Sequence, residues 1–289
     1  MLTIILDFDG TLTAEEAQVE GLAARSLDTL AGEILGVPRS QLAAEYQATR
    51  ARLLAAPHRY GWEVNGLLAS YCDEGAFILN TTTLQVMLRD NLAYAQAVAA
   101  AFPQAEYDPI VDCTNFLFHR HTAELPPAFR PAARQVLACL AAHPDRRPLV
   151  LTNSRGDKVQ RHLATLALDD QVAVLGDTRQ YEMDPAWALG NLRVWPVDKV
   201  HQVDLRRPVY HRALLQAAAD GSHLAVVGDT LSLPGALPLM MGIPFFLLRT
   251  PYTPAWCIRA VAAHPLGRVL DDLGDLPAAL DALCAGDRR

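Results

Sequence analysis

The sequence predicts an α/β protein: a doubly wound parallel sheet, interrupted early by an inserted all-helical module. Three observations carry that prediction. An apolar strand closes before Thr13. From Ala14 to about Pro126 the chain is rich in Ala, Leu, Glu, Arg and Gln, with little β-branched clustering. From Pro126-Pro127 onward, helical and strand patterns alternate.

The strand is Leu2-Thr3-Ile4-Ile5-Leu6, a continuous apolar run of the kind buried on both faces, and Gly10 lets the chain turn after it. Ser40-Gln41-Leu42-Ala43-Ala44-Glu45 opens with an N-cap residue and continues at helical spacing to Leu53-Leu54. Leu84 to Phe102 reads as one further helix, stopped by Pro103. Beyond Pro127, helices are expected over Arg130–Ala142, Val159–Leu166, Pro208–Ala219 and Pro277–Cys284. Strands are expected at Pro148–Thr152, Val172–Leu175, Leu224–Val227 and Pro244–Leu248. Gly176 to Val203 fits this rhythm poorly, and Pro185, Trp187, Trp195 and Pro196 suggest an irregular or hairpin-like insertion.

The 289 residues suffice for one large domain or two modest ones. With 51% hydrophobic and 20% charged residues the chain is globular, and a net charge of -7 argues against a general binder of nucleic acid or anionic membranes. A local basic pocket remains compatible with that balance. The tryptophans form no base-stacking ladder, and no stretch resembles a nucleic-acid module or a membrane span. Five scattered cysteines without a CxxC fit free thiols, and no leader pattern follows Met1, so a cytoplasmic location is expected. Only Lys158 and Lys199 of the 25 cationic residues are lysines. Oligomeric state leaves no trace in the sequence.

The chemistry concentrates at strand ends, where open α/β sheets build their sites. Asp7 and Asp9 close the first strand on one side of it, with Phe8 on the other. Two crowded carboxylates repel unless a cation sits between them, and an all-oxygen ligand set favours Mg²⁺. Thr152-Asn153-Ser154 and Gly228-Asp229-Thr230 close two later strands. His58-Arg59-Tyr60-Gly61-Trp62 joins cations to aromatics and is suited to contacting a substrate's leaving group; the alternative is a helix–helix loop with Trp62 buried. His119-Arg120-His121 reads as a surface feature.

Asp7-Phe8-Asp9-Gly10-Thr11 resembles motif I of the haloacid dehalogenase superfamily, whose phosphatase members carry DxDGT there. The resemblance implies a Rossmann-like core over residues 1–14 and 126–289, with a helical cap over 15–125. It implies Asp7 as nucleophile, Asp9 as general acid and base, and Thr152 as a phosphate-binding hydroxyl. Mg²⁺ would rest on Asp7, the Asp9 carbonyl and Asp229, with Gly10, Thr11 and Asn153 beside the substrate. The implied activity is Mg²⁺-dependent hydrolysis of a small phosphorylated metabolite through an aspartyl-phosphate. The acid at Asp9 points away from dehalogenation, whereas phosphomutase chemistry would use the same residues.

Two departures accompany the resemblance. The family's Lys-Pro motif before the last strand end is missing, which leaves Arg206, Arg207 and Lys199 as candidate cations. A second acid expected after Asp229 is replaced by Leu233. Both keep open a non-catalytic or weakly active binding or regulatory protein on the same fold.

Overall fold

The computed structural model describes residues 1–286. Strand β1 (Leu2–Leu6) leads to the inserted segment, which holds α1 (Val19–Thr29), α2 (Arg39–Ala55), β2 (Gly61–Val64), β3 (Leu67–Tyr71), α3 (Ala76–Asp90), α4 (Leu92–Ala101) and α5 (Pro109–Thr122). The remainder continues as α6 (Ala133–Ala142), β4 (Arg146–Leu151), α7 (Gly156–Ala164), β5 (Ala173–Leu175), β6 (Val194–Pro196), β7 (Gln202–Asp204) and α8 (Pro208–Ala217). It closes with β8 (His223–Gly228), α9 (Ala236–Met240), β9 (Phe245–Leu248), α10 (Ala255–Ala263), β10 (Gly267–Leu270) and α11 (Leu276–Gly286).

Six strands form one parallel sheet in the order β10-β9-β8-β1-β4-β5. The chain first winds outward from β1 through β4 and β5, then returns to the other side through β8, β9 and β10. The reversal lies between β1 and β8, the place where open α/β sheets leave a crevice at their carboxyl ends. Alternation along β1 sorts the core. Ile4, Leu6 and Phe8 pack on one face with Val136, Leu137, Val159 and Leu276; Ile5 packs on the other with Tyr210, Leu214 and Trp256. Phe8 is therefore anchored in the core while its neighbours Asp7 and Asp9 are turned the other way.

The inserted segment corrects two expectations. It is not all-helical: β2 and β3 form an antiparallel hairpin. Its turn residues Asn65 and Gly66 have φ of 52° and 71°, the left-handed pair that tight hairpin turns require. Leu84 to Phe102 is not one helix either. α3 ends at Asp90, and Asn91 starts α4 by accepting bonds from the Ala93 and Tyr94 amides at 3.1 and 3.4 Å. Asn91→Ala should lower stability by about 1 kcal/mol in urea unfolding, through loss of this cap.

The helices share their own core around Leu30, Leu42, Leu84, Leu88, Val98 and Leu117. The β2–β3 hairpin reaches back to the sheet-bearing part. Tyr71 donates its hydroxyl to the Gln202 carbonyl and accepts from the Gln202 amide, both at 3.0 Å, and Asn65 donates to Met183 O at 2.9 Å. Gly176 to Val203 does contain a hairpin edge, β6 pairing with β7. Pro238 lies in the first turn of the short α9, where its missing N–H has no carbonyl to meet. No helix of the described residues is long and apolar enough to cross a membrane, and the five cysteines are unpaired.

Candidate active site

Register brings three strand ends to one level. Leu6 lies opposite Val150 and Val227, so Asp7 comes level with Leu151 and Gly228, one residue before Thr152 and Asp229. The Asp7 amide donates to Val227 O at 3.0 Å, and its carboxylate accepts from the Phe8 amide at 2.8 Å. Gly10 has φ of +81°, and a Cβ there would lie 2.2 Å from Asp229 Oδ2. Only glycine lets the loop close on that carboxylate. Thr11 donates its hydroxyl to Asp229 Oδ1 at 3.3 Å. Arg130 clamps the same loop from outside, donating to Gly10 O and pairing with Glu16 at 3.1 Å.

These residues floor a cavity of about 120 Å³ that also takes walls from the inserted segment. Asp7, Asp9, Thr152, Asn153 and Asp229 all line it, as does Trp62 from β2. His58 and Arg59 do not; both side chains are exposed on the short turn before β2. The His119-Arg120-His121 motif is split rather than superficial. His119 lines the cavity, His121 is buried with Nε2 2.9 Å from the Thr29 hydroxyl, and Arg120 alone is exposed, paired with Glu33.

The three candidate cations lie elsewhere. Lys199 is exposed beyond β6, and Arg206 is tied to Asp204. Arg207 is fully buried, but it donates to the Ala69 and Gln180 carbonyls and so fastens β3. Burial pushes its guanidinium down to about 10. Arg207→Met should destabilise the fold by about 1–2 kcal/mol, through loss of its bonds to the Ala69 and Gln180 carbonyls, while kcat persists. Thermal unfolding and turnover measured on the same preparation separate the two effects.

The cation at the site is Lys158, on the first turns of α7. Its Nζ lies 3.3 Å from Asp9 Oδ1 and 3.0 Å from the Ser154 hydroxyl, which itself donates to Asp9 Oδ2. The ammonium is almost wholly buried and sits 5.9 Å from the centres of both the Phe8 and Phe118 rings. Two signals in the sequence could have pointed to it. The chain has only two lysines, and the spacing from Ser154 to Lys158 is one helical turn.

Lys158 addresses Asp9, and Arg130 with the Thr11 hydroxyl only partly offsets the cost of burying Asp229, which leaves Asp7 without a cation of its own. Burial, then Asp229, then Asp9 drive the Asp7 pKa well above the usual carboxylate range. Asp229 is pushed up to about 7, chiefly by burial. Glu15, which sequence reading did not single out, is also buried against the cavity. Its pKa is raised well above normal by burial and then by Asp229, while the Ala76 amide at the start of α3 donates to it.

Such a donor set fits a hard divalent cation. Asp7 and Asp229 offer oxygens at adjacent strand ends, and the charge that now repels would be neutralised. Among the described residues no three His, Cys, Asp or Glu side chains are arranged as a complete metal cage. A cation here would thus rest on two carboxylates and a backbone oxygen, with water or phosphate filling the shell.

No protein-family model and no curated protein matches the chain. Solved structures match it over nearly its full length. One is a protein of Bacillus subtilis, YfnB, described as a HAD-hydrolase and solved with magnesium bound, at 13% identity and a TM-score of 0.51, covering 96% of this chain and 97% of that one. Another is a haloacid dehalogenase-like family hydrolase of Streptococcus pneumoniae, at 14% identity and a TM-score of 0.51, with 96% and 97% covered. The chain has the haloacid dehalogenase-like hydrolase fold.

Proposed function

We propose that this protein is a Mg²⁺-dependent phosphomonoester hydrolase that works through a covalent phosphate on Asp7. The observation that carries the reading is the contrast between two neighbouring carboxylates. Asp7 is buried beside Asp229 with no cation of its own, whereas Asp9 is held by Lys158 and Ser154. Two acids in such different surroundings suit two different tasks.

A carboxylate oxygen of Asp7 attacks phosphorus, forming the Asp7 O–P bond as the bond to the leaving oxygen breaks. Asp9, which takes up a proton as the anionic phosphate enters, gives it to that oxygen, and the alcohol departs. The Asp9 carboxylate then takes a proton from water, whose oxygen attacks the phosphorylated Asp7 and releases inorganic phosphate. Lys158 and the Ser154 hydroxyl fix the carboxyl of Asp9 so that one group can serve both steps. Thr152 Oγ1 accepts from the Ser154 amide at 3.1 Å, leaving its own proton for a phosphate oxygen. Asn153 uses its carbonyl on the Gln180 amide at 2.7 Å, which turns its NH₂ group free for the same purpose. Mg²⁺ held by Asp7, Asp229 and the Asp9 carbonyl supplies neutralisation of the phosphate charge.

The acid at Asp9 favours this over dehalogenation, which needs the nucleophile but no second acid. The direct test is release of inorganic phosphate from a phosphomonoester panel with added Mg²⁺. Activity should vanish with chelator and return with Mg²⁺. Phosphate returned to the substrate instead of to water would mark a mutase. Mg²⁺-independent turnover would remove the metal from the reading.

A further inference from the structure

We propose that the cavity above Asp7 selects phosphomonoesters of a small, uncharged, largely apolar alcohol, no bulkier than a single six-membered ring. The inference rests on the hydrolase reading and concerns the part of the substrate that leaves.

Size sets the first limit. The cavity measures about 120 Å³, and because Asp7, Asp9, Thr152 and Asp229 line it too, the phosphate takes part of that space and leaves the alcohol less than the roughly 150 Å³ that holds a benzene ring. A nucleoside does not fit in it. The walls set the second. Trp62 and Tyr181 stand 5.0 Å apart as a tilted pair, and Phe77, Phe118 and Leu233 close the remaining sides. A flat or branched hydrocarbon body would displace water from all of them.

Charge sets the third limit. Among the described residues no lysine or arginine lines the cavity, and the nearby cations are committed elsewhere. Arg89 pairs with Glu63 and Asp108, Arg179 pairs with Glu106, and Lys158 serves Asp9. The buried Glu15 adds a further carboxyl to the cavity. A substrate carrying a second anionic group would find no counter-charge there and would be buried unpaired. Polar recognition falls to neutral donors. Asn115 and His119 lie one turn apart on α5 and share a face toward the cavity. Burial and then Lys158 push the His119 pKa down, which keeps its ring neutral. The Ser70 hydroxyl and Trp62 Nε1 are buried at the cavity without a partner, so an uncharged oxygen on the alcohol has donors to meet.

The test compares esters of matched shape. Isobutyl phosphate and phosphoglycolate have similar branched ends and differ in charge; benzyl phosphate and a nucleoside 5′-monophosphate differ in bulk. Acetyl phosphate, whose acyl group scarcely enters the cavity, reports the Asp7 chemistry alone. With Mg²⁺ present, kcat/KM for isobutyl phosphate should exceed that for phosphoglycolate by about 100-fold. Benzyl phosphate should likewise outrun the nucleotide. Asn115→Lys, which places a cation in the wall, should raise the phosphoglycolate-to-isobutyl ratio by about tenfold or more. Equal use of the two branched esters by the native chain would overturn this inference while leaving hydrolysis intact, whether or not the variant folds. A nucleotide turned over as fast as benzyl phosphate would overturn the size limit. Failure to hydrolyse even acetyl phosphate would overturn the hydrolase reading and this inference with it.

Discussion

Asp7→Asn should reduce phosphate release on the order of 10⁴-fold or more, with the fold unchanged. An amide oxygen is a poor nucleophile toward phosphorus, so no covalent phosphate forms. The substitution preserves shape, and the acceptor for the Phe8 amide at 2.8 Å is retained. It also removes a carboxyl that burial and Asp229 hold at raised pKa, so thermal stability should stay level or rise. Turnover by the variant within tenfold of the native protein would sink the assignment of Asp7. Mass spectrometry gives a second reading: a phosphate adduct trapped on the native chain should be absent from the variant.

The next largest effect is expected at Lys158. Lys158→Met should cut kcat ~100- to 1,000-fold, because Asp9 then loses the ammonium 3.3 Å away and keeps only the Ser154 hydroxyl. Met fills a similar volume against Phe8 and Phe118, so stability should fall little. Lys158→Arg should rescue poorly, since a planar fork does not fit a site built around a compact ammonium. The leaving group discriminates a role on Asp9 from a merely structural one. Acetyl phosphate, whose acetate departs without needing a proton, should lose less kcat than an alkyl phosphate when Lys158 is replaced. Equal losses on both esters would assign Lys158 to packing.

Both expectations depend on features of unequal legibility. The sheet was readable because strands buried on both faces appear as near-continuous apolar runs, as β1, β9, the Pro148–Leu151 end of β4 and the Leu224–Val227 part of β8 do. The acids at the ends of β1 and β8 were readable for the same reason: each interrupts such a run where it stops. The hairpin at Gly61–Tyr71 carried its own signal in Asn65-Gly66, but the helical texture on either side masked it. The cation was harder. Its partner Asp9 lies 149 residues away, and the family pattern directs attention to the wrong helix. Glu15 was hidden because nothing in its neighbourhood marks an acid that will be fully buried; only the docking of α3 covers it. Contacts between distant parts of the chain decide which of many similar charges reaches the site.

The central place of β1 in the sheet also has a consequence for how the protein is made. Its hydrogen-bonding neighbours are Arg146–Leu151 on one side and His223–Gly228 on the other. On the ribosome, the strand that ends in Asp7 emerges before both neighbours and stays without either while the whole inserted segment is synthesised. That segment, with its own apolar core, can collapse early on local contacts. The nucleophile meets Asp229 only after β8 has left the ribosome, so the reactive centre is among the last parts of the molecule to exist. Nascent chains stopped before β4 should accordingly protect the helices from proteolysis while leaving β1 open to it.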